Sequence, residues 1–296
     1  MRVAPGRSPT VAVPTPTRAA LRAARRRENF PIAAFVLGPA RRRERHAIYD
    51  FCRLVDDVGD ELAGDRVAAL EALRAELLRC WGGAAPTHPV LAALRPVIAA
   101  HRLDPDPFLR LVEANLQDQR VAVYRTWAEL DEYCTRSATP VGELVLALEG
   151  LRDAQRRAWS DAITTGLQLA NMWQDIAADR ERGRRYLPTA VLRAHGASEA
   201  AWWAGRPTPE LRAALHEGVA RARARLLAGL PLAASVRGPL RVELATFALC
   251  GLDACQAVLD AGDGVFTAKA RIPRAARWRT LGRALRAARH PERLGP

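Results

Sequence analysis

The sequence has little lysine, few cysteines and no long uncharged apolar run, and these shortages exclude several classes of protein. Lys269 is the only lysine, so arginine supplies nearly all the positive charge. The five cysteines are odd in number and form no C-x-x-C pair, which argues against a disulfide framework or a zinc site and favours reduced thiols in a cytosolic protein. No uncharged apolar run reaches about 18 residues, so we expect no transmembrane helix. The N-terminus lacks the apolar stretch of a secretory signal.

Alternating strand-like runs are nearly absent, while the strong helix formers Ala, Leu, Arg and Glu dominate. The sequence therefore predicts an all-α fold. We expect a disordered, basic, proline-rich tail over residues 1–17 and one all-α domain over 18–290. Turn residues delimit helices predicted at 41–62, 65–80, 88–101, 107–118, 126–149, 153–182, 208–229, 238–261 and 274–289.

The positive charge lies at the two ends of the chain. Residues 1–45 carry a net +9 and residues 269–296 a net +8, whereas the whole chain carries +13, so the middle is acidic. Basic ends could bind nucleic acid, anionic lipid or a phosphorylated small molecule. We expect no nucleic-acid partner, because no aromatic platform, helix-turn-helix or zinc pattern accompanies the arginines.

The first unusual stretch is "LVDDVGDE" at residues 54–61, where acid is concentrated in a basic protein. On a helix over 41–62, Arg53, Asp56, Asp57 and Asp60 share an arc of about 100°. A single D-x-x-x-D pattern on a helix is most often solvated, so this stripe alone does not define a site.

A second stripe lies in "TTGLQLANMWQDIAADRERGRRYLP" at residues 164–188. There Gln168, Asn171, Asp175 and Asp179 fall within an arc of about 80°, opposite apolar residues suited to burial. Buried carboxylates require compensation, and their oxygens suit Mg²⁺, which usually shares its coordination with substrate phosphates. Two such stripes facing each other across a cavity predict a diphosphate clamp, completed by arginines.

Three motifs resemble those of the squalene/phytoene synthase family. "YDFCRLVDDVGDE" and "QLANMWQDIAADRERGRRYLP" are similar to its two Asp-rich motifs, and "YCTRSATPVGELV" to the segment between them. The resemblance covers roughly residues 28–275 and implies an isoprenoid-synthase-type helical bundle, with a central cavity between two Asp-rich helices.

The resemblance also implies roles for individual residues. Two or three Mg²⁺ ions would be held by Asp56, Asp57, Asp60, Asp175 and Asp179. Catalytic roles would fall to Tyr133, Gln168, Asn171 and Arg53. The substrate diphosphate would be bound by Arg53, Arg180, Asn171 and Tyr186. Lys269 and Arg271 either reach the diphosphate or lie on the surface.

Two details resemble the hydroxysqualene synthases of the hopanoid pathway, namely Asn29-Phe30-Pro31 and "RSATPVG" at 136–142. That resemblance implies conversion of presqualene diphosphate and water into hydroxysqualene and diphosphate. No dinucleotide fingerprint is present, so we expect no NADPH. The alternatives are head-to-head condensation of two farnesyl or geranylgeranyl diphosphates, giving presqualene diphosphate, dehydrosqualene or phytoene, and a non-catalytic assembly or scaffold protein of the same fold.

The C-terminal segment 273–290 places Trp278, Leu281 and Leu285 at helical spacing among arginines. Such a helix either lies on an anionic membrane or docks on the core with a solvated arginine face. We expect a cytoplasmic enzyme, with peripheral contact at the inner face of the membrane and with partner enzymes of the same pathway as further expectations.

Overall fold

Capping side chains and prolines mark where the helices begin. The computed structural model of the protein describes residues 13–17, 19–21, 23 and 37–289. The side chains of Asp65, Thr126 and Thr208 each accept a hydrogen bond from the backbone N–H three residues later. Residues 19–21 and 23 are helical. From residue 37 onward the α-helices are α1 (Pro39–Asp56), α2 (Arg66–Leu78), α3 (Pro89–His101), α4 (Asp106–Asp118), α5 (Trp127–Ser137), α6 (Thr139–Leu148), α7 (Ala154–Gln174), α8 (Ile176–Glu181), α9 (Thr189–Ala194), α10 (Glu199–Trp203), α11 (Pro209–Gly229), α12 (Pro231–Ala234), α13 (Gly238–Ala261) and α14 (Arg274–Arg289).

Helix α7 lies at the centre of the bundle and packs against α6, α11 and α13. Its residues Leu169, Ala170 and Trp173 are fully buried in the largest apolar cluster. The Trp173 indole N–H donates to the Gly218 carbonyl of α11 at 3.0 Å, so the ring is fixed as well as buried. The all-α prediction is confirmed, because the described residues contain no strand beyond an isolated bridge between Val123 and Arg185.

Helix α13 and the following 3-10 turn, Gly238–Phe266, contain an 18-residue apolar window with a mean hydropathy of 1.5, which is long and apolar enough to cross a membrane. However, 72% of that apolar window is buried inside the protein. Since α13 packs against α7, α11 and α14, its composition is that of a core helix.

Three of the predicted helices are interrupted. The predicted helix 126–149 is divided at Ala138 into α5 and α6, because Pro140 has no N–H to continue the helical hydrogen bonding. The predicted helix 153–182 is divided at Asp175 into α7 and α8. The predicted helix 41–62 ends in a π-helical turn at Asp57–Glu61.

The described part of the proline-rich N-terminal segment contacts the domain. Residues 13–17 form no helix, but the Pro14 carbonyl lies 3.1 Å from His88 Nε2, and Val13 packs on the core under α1–α4. Proline lacks an N–H donor but keeps its carbonyl acceptor. Through these two contacts residues 13–17, which we predicted to be part of a disordered tail, are held against the helical domain. Residues 1–12 and the Asn29-Phe30-Pro31 signature lie outside the described residues.

Candidate active site

A cavity of about 820 Å³ opens between α1, α4, α7 and α8. Its lining contains nearly all the residues predicted for the site. These are Arg53, Asp56, Asp57, Asp60, Tyr133, Gln168, Asn171, Asp175, Asp179 and Tyr186. The two polar stripes therefore face one another across one space, as their matching helical phases predict.

The first wall depends on a close approach between the π-helical turn and α4. A Cβ at position 59 would overlap the Asn115 side-chain amide, so any larger residue where the turn crosses α4 would displace that amide. The Asn115 amide in turn donates to Asp56 Oδ1 at 3.4 Å. The glycine in "VDDVGDE" thus allows a neutral donor to reach the Asp56 carboxylate.

The second wall depends on the junction between α7 and α8. The Gln174 side chain donates to the Ala270 carbonyl at 2.8 Å, and the Ala270 N–H donates back to the Gln174 carbonyl at 3.2 Å. This pair of bonds holds the segment after the 3-10 turn against the junction. Lys269 Nζ consequently lies 2.7 Å from Asp175 Oδ2.

Two of the other acidic positions also have a cationic partner. Arg53 pairs with Asp57 at 2.5 Å, one helical turn away. Arg184 donates to Asp60 at 2.7 Å, from the opposite side of the cavity. The tight turn before Arg184 is made by Gly183, whose φ of 74° lies in the left-handed region that glycine tolerates.

The carboxylates carry more negative charge than these cations neutralise. The Asp56 side chain is exposed to the cavity, and its desolvation by the surrounding protein raises its pKa to about 7. Burial, and then the nearby Asp175 carboxylate, raise the pKa of Asp179 to about 7. A raised carboxyl pKa indicates that the ionised carboxylate is poorly compensated, so a further cation nearby would stabilise it.

A divalent metal ion fits this donor set when a diphosphate completes its coordination. Among the residues that the structure describes, no three His, Cys, Asp or Glu side chains converge closely enough to hold a metal alone. Mg²⁺ does not require such a cage, since it commonly binds one or two carboxylates together with substrate phosphates and water. The hard oxygen donors of Asp56, Asp60, Asp175 and Asp179 match that chemistry.

Helix α4 contributes two cavity residues that sequence reasoning missed, Asn115 and Asp118. Tyr133 donates a 2.7 Å hydrogen bond to Asp118 Oδ2, and burial raises the pKa of Asp118 to about 6. A signal was present, because both polar residues follow the buried Leu111 on the same face of the helix, at spacings of i+4 and i+7.

Arg180 does not line the cavity, in contrast to its predicted contact with the diphosphate. Its guanidinium donates to the Phe266 carbonyl at 2.7 Å and lies against Gly205. Because the chain turns at Gly183, the cavity arginines of this segment are Arg182 and Arg184.

Comparison with known proteins gives consistent results. The squalene/phytoene synthase family profile matches residues 23–278. A hydroxysqualene synthase of Rhodopseudomonas palustris is 37% identical over 216 residues, 72% of each chain. A presqualene diphosphate synthase of Zymomonas mobilis is 34% identical over 57% of this chain and 58% of the relative.

A solved structure agrees with these relatives. The crystal structure of the squalene synthase HpnC from Alicyclobacillus acidocaldarius superposes with a TM-score of 0.74 at 40% identity. The match covers 83% of this chain and 97% of that structure. The chain therefore belongs to the squalene/phytoene synthase family and is an enzyme of that family.

Proposed function

We propose that the chain is a hydroxysqualene synthase, which converts presqualene diphosphate and water into hydroxysqualene and diphosphate. The observation that carries the reaction class is the pair of facing carboxylate walls, each accompanied by basic side chains. That arrangement suits an anionic diphosphate bound through divalent metal. Similarity to hydroxysqualene synthase at 37% identity supports this member of the family over the condensing enzymes.

We assign the metal to Asp56, Asp60, Asp175 and Asp179, with Asp57 beside them. Bound Mg²⁺ would supply electrophilic stabilisation of the departing diphosphate, and two or three ions suit the number of carboxylates. Lys269 and Arg184 are paired with carboxylates that we assign to the metal, so these two cations would be freed to contact the diphosphate when metal is bound.

The remaining cavity residues orient the organic part of the substrate. Gln168 and Asn171 present amides from the second wall, whereas Arg53 lies beside Asp57, where its guanidinium would contact the diphosphate. Tyr133 and Tyr186 place aromatic rings on the cavity surface, 5.8 Å apart between centroids. Aromatic faces stabilise nearby positive charge, and this supports a role beside a carbocation.

Separate incubations of the purified protein with presqualene diphosphate and with farnesyl diphosphate test the assignment. Both reaction mixtures contain Mg²⁺ and no NADPH. We expect hydroxysqualene from presqualene diphosphate, with ¹⁸O from labelled water in its hydroxyl group. A condensation product from farnesyl diphosphate alone would instead favour the second candidate, a head-to-head synthase, for which the similarity to presqualene diphosphate synthase is the supporting observation.

We further propose one catalytic domain over residues 18–290, acting in the cytoplasm with peripheral membrane contact through α14. Helix α14 packs through Ala276, Thr280 and Ala284, which are buried. On its outer face, Trp278 is 69% exposed and Leu285 is 44% exposed, with arginines nearby. A face with an aromatic and an aliphatic side chain bordered by arginines suits the interface of an anionic bilayer. At that interface the protein would exchange lipophilic intermediates with partner enzymes of the same pathway.

Vesicle sedimentation tests the membrane contact. We expect the wild type to sediment with vesicles containing phosphatidylglycerol and less with phosphatidylcholine alone. Replacing both Trp278 and Leu285 by serine should abolish sedimentation. The matched control is Val67→Ser, which removes a 47% exposed apolar side chain elsewhere. Equal sedimentation of both variants would contradict the proposal.

A further inference from the structure

Asp118, the last residue of α4, lies on the cavity wall but belongs to neither acidic stripe. Its Oδ2 accepts a hydrogen bond from the Tyr133 hydroxyl at 2.7 Å. Its Oδ1 is buried and has no hydrogen-bond partner within the part of the chain that the structure describes. One oxygen of this carboxylate is therefore committed to Tyr133, while the other has unused acceptor capacity.

The direction of this hydrogen bond determines what Tyr133 offers to a substrate. The hydroxyl has a single proton, and that proton points to Asp118. The phenolic oxygen therefore keeps its lone pairs for a donor in the cavity. Tyr133 is arranged to accept a proton from a ligand rather than to donate one to a departing diphosphate.

The neighbouring aromatic rings hold this geometry. The centroid of the Tyr133 ring lies 5.3 Å from that of Tyr124 and 5.8 Å from that of Tyr186. The Tyr124 hydroxyl is engaged separately, since it accepts from the Gln117 amide at 3.2 Å. Tyr133 itself is 3% exposed, so its hydroxyl has little freedom to turn away from Asp118.

We propose that Tyr133 and Asp118 form a proton relay that accepts the proton released when water adds to the substrate carbocation. This inference rests on the proposed hydroxysqualene synthase function. Tyr133 is the catalytic residue that touches the water, and Asp118 is the positioning residue behind it.

The step balances without any further reactant. The water oxygen forms a C–O bond to the cationic carbon, and one water O–H bond breaks. That proton passes to the Tyr133 oxygen, while the original Tyr133 proton moves to Asp118 Oδ2. The carboxylate becomes a carboxylic acid and no electron is gained or lost by the pair. Burial raises the pKa of Asp118 to about 6, which keeps the group ionised at neutral pH and more basic than a solvated aspartate.

Asp118→Asn is the decisive variant, because asparagine is nearly isosteric and its oxygen still accepts from Tyr133, but it cannot take up the proton. Diphosphate release and organic products are measured together from presqualene diphosphate and Mg²⁺. We expect diphosphate release to remain within about threefold of wild type, while the ratio of hydroxysqualene to other products falls about 10²-fold. Tyr133→Phe should change the product ratio in the same direction.

A matched control lies on the same helix. Asp106 is at the exposed start of α4 and pairs with Arg110, so Asp106→Asn should leave rate and products unchanged. If Asp118→Asn does not fold, the product ratio of Tyr133→Phe, in which Asp118 remains, decides the question.

An unchanged product ratio in a folded Asp118→Asn enzyme would overturn the relay, as would a parallel fall of diphosphate release and every product. The wild-type arm tests the function separately. If the wild type forms no hydroxysqualene, the proposed function fails and the relay fails with it. If only the variants behave unexpectedly, the function stands and the relay alone is rejected.

Discussion

Lys269 Nζ lies 2.7 Å from Asp175 Oδ2, at the junction where α7 ends and α8 begins. The only lysine in the chain thus occupies the candidate active site. Two hydrogen bonds between Gln174 and Ala270 fix the segment that carries it. The ammonium group neutralises a carboxylate that we assign to the metal, so binding of a metal there would release a cation.

Lys269→Ala should weaken the binding of pyrophosphate in the presence of Mg²⁺. Loss of a charge-assisted contact corresponds to about a 10- to 100-fold increase in Kd. Isothermal titration calorimetry measures this directly, without turnover. Lys269→Arg retains the charge and should recover most of the affinity. Wild-type affinity in Lys269→Ala would show that the lysine serves only to pair with Asp175.

Asp175→Ala should reduce turnover by at least about 10³-fold while leaving the fold intact. The Asp175 side chain is only partly buried and pairs with the exposed Lys269, so the free energy of unfolding should change by less than about 1 kcal/mol. Steady-state kinetics and thermal unfolding test both parts. Asp260→Ala, an exposed helical aspartate outside the cavity, is the control and should remain fully active. Full activity of Asp175→Ala would exclude the metal clamp.

Gly59→Ala should damage both stability and metal binding. The added methyl group displaces the Asn115 amide, which donates to Asp56. Overpacking at such a contact costs about 1–3 kcal/mol. Gly83→Ala is the control, since a Cβ there meets nothing within 4 Å. Equal denaturation midpoints for the two variants would show that the π-helical turn shifts without cost.

Arg45 should be more important to stability than either of its two partners. Its guanidinium pairs with Glu149 at 3.0 Å and with Glu243 at 3.2 Å, and all three side chains are nearly buried. Arg45→Met leaves the buried Glu243 without its cation and Glu149 with Arg41 alone, and should cost about 3–5 kcal/mol of unfolding free energy. Glu243→Gln leaves Arg45 paired with Glu149 and should change the free energy of unfolding by less than about 1 kcal/mol. Urea unfolding distinguishes the two, and a larger loss for Glu243→Gln would contradict this account.

The same cluster predicts a pH dependence. Burial raises the pKa of Glu243, so the native state binds a proton more tightly there than the unfolded chain does. Stability from this group is therefore present below the unfolded pKa and declines as pH rises above it. Urea unfolding between pH 4 and pH 7 should show a smaller decline in Glu243→Gln than in wild type. Parallel pH profiles of unfolding free energy for the two proteins would show that titratable groups other than Glu243 cause the pH dependence.

Helical phase identified the site but did not describe its two critical irregularities. Regular helices were predicted through both Asp-rich stretches, and the two stripes do face one cavity. The π-helical turn at Asp57–Glu61 and the junction at Asp175 were not foreseen. Both depend on partners distant in sequence, Asn115 on α4 for the first and Ala270 for the second. Local periodicity contains no information about such partners.

The sequence by itself determined the all-α fold, the two acidic stripes and the family, because helix propensity, phase and motif order are local properties of the chain. Only the tertiary structure decided which cations enter the cavity. Arg180 and Arg184 are four residues apart and chemically alike, yet Arg184 pairs with Asp60 while Arg180 binds the Phe266 carbonyl. The turn at Gly183 and the docking of residues beyond α13 separate them. Likewise, Asp118 became part of the site only when α4 and α5 packed together and brought Tyr133 within hydrogen-bonding distance.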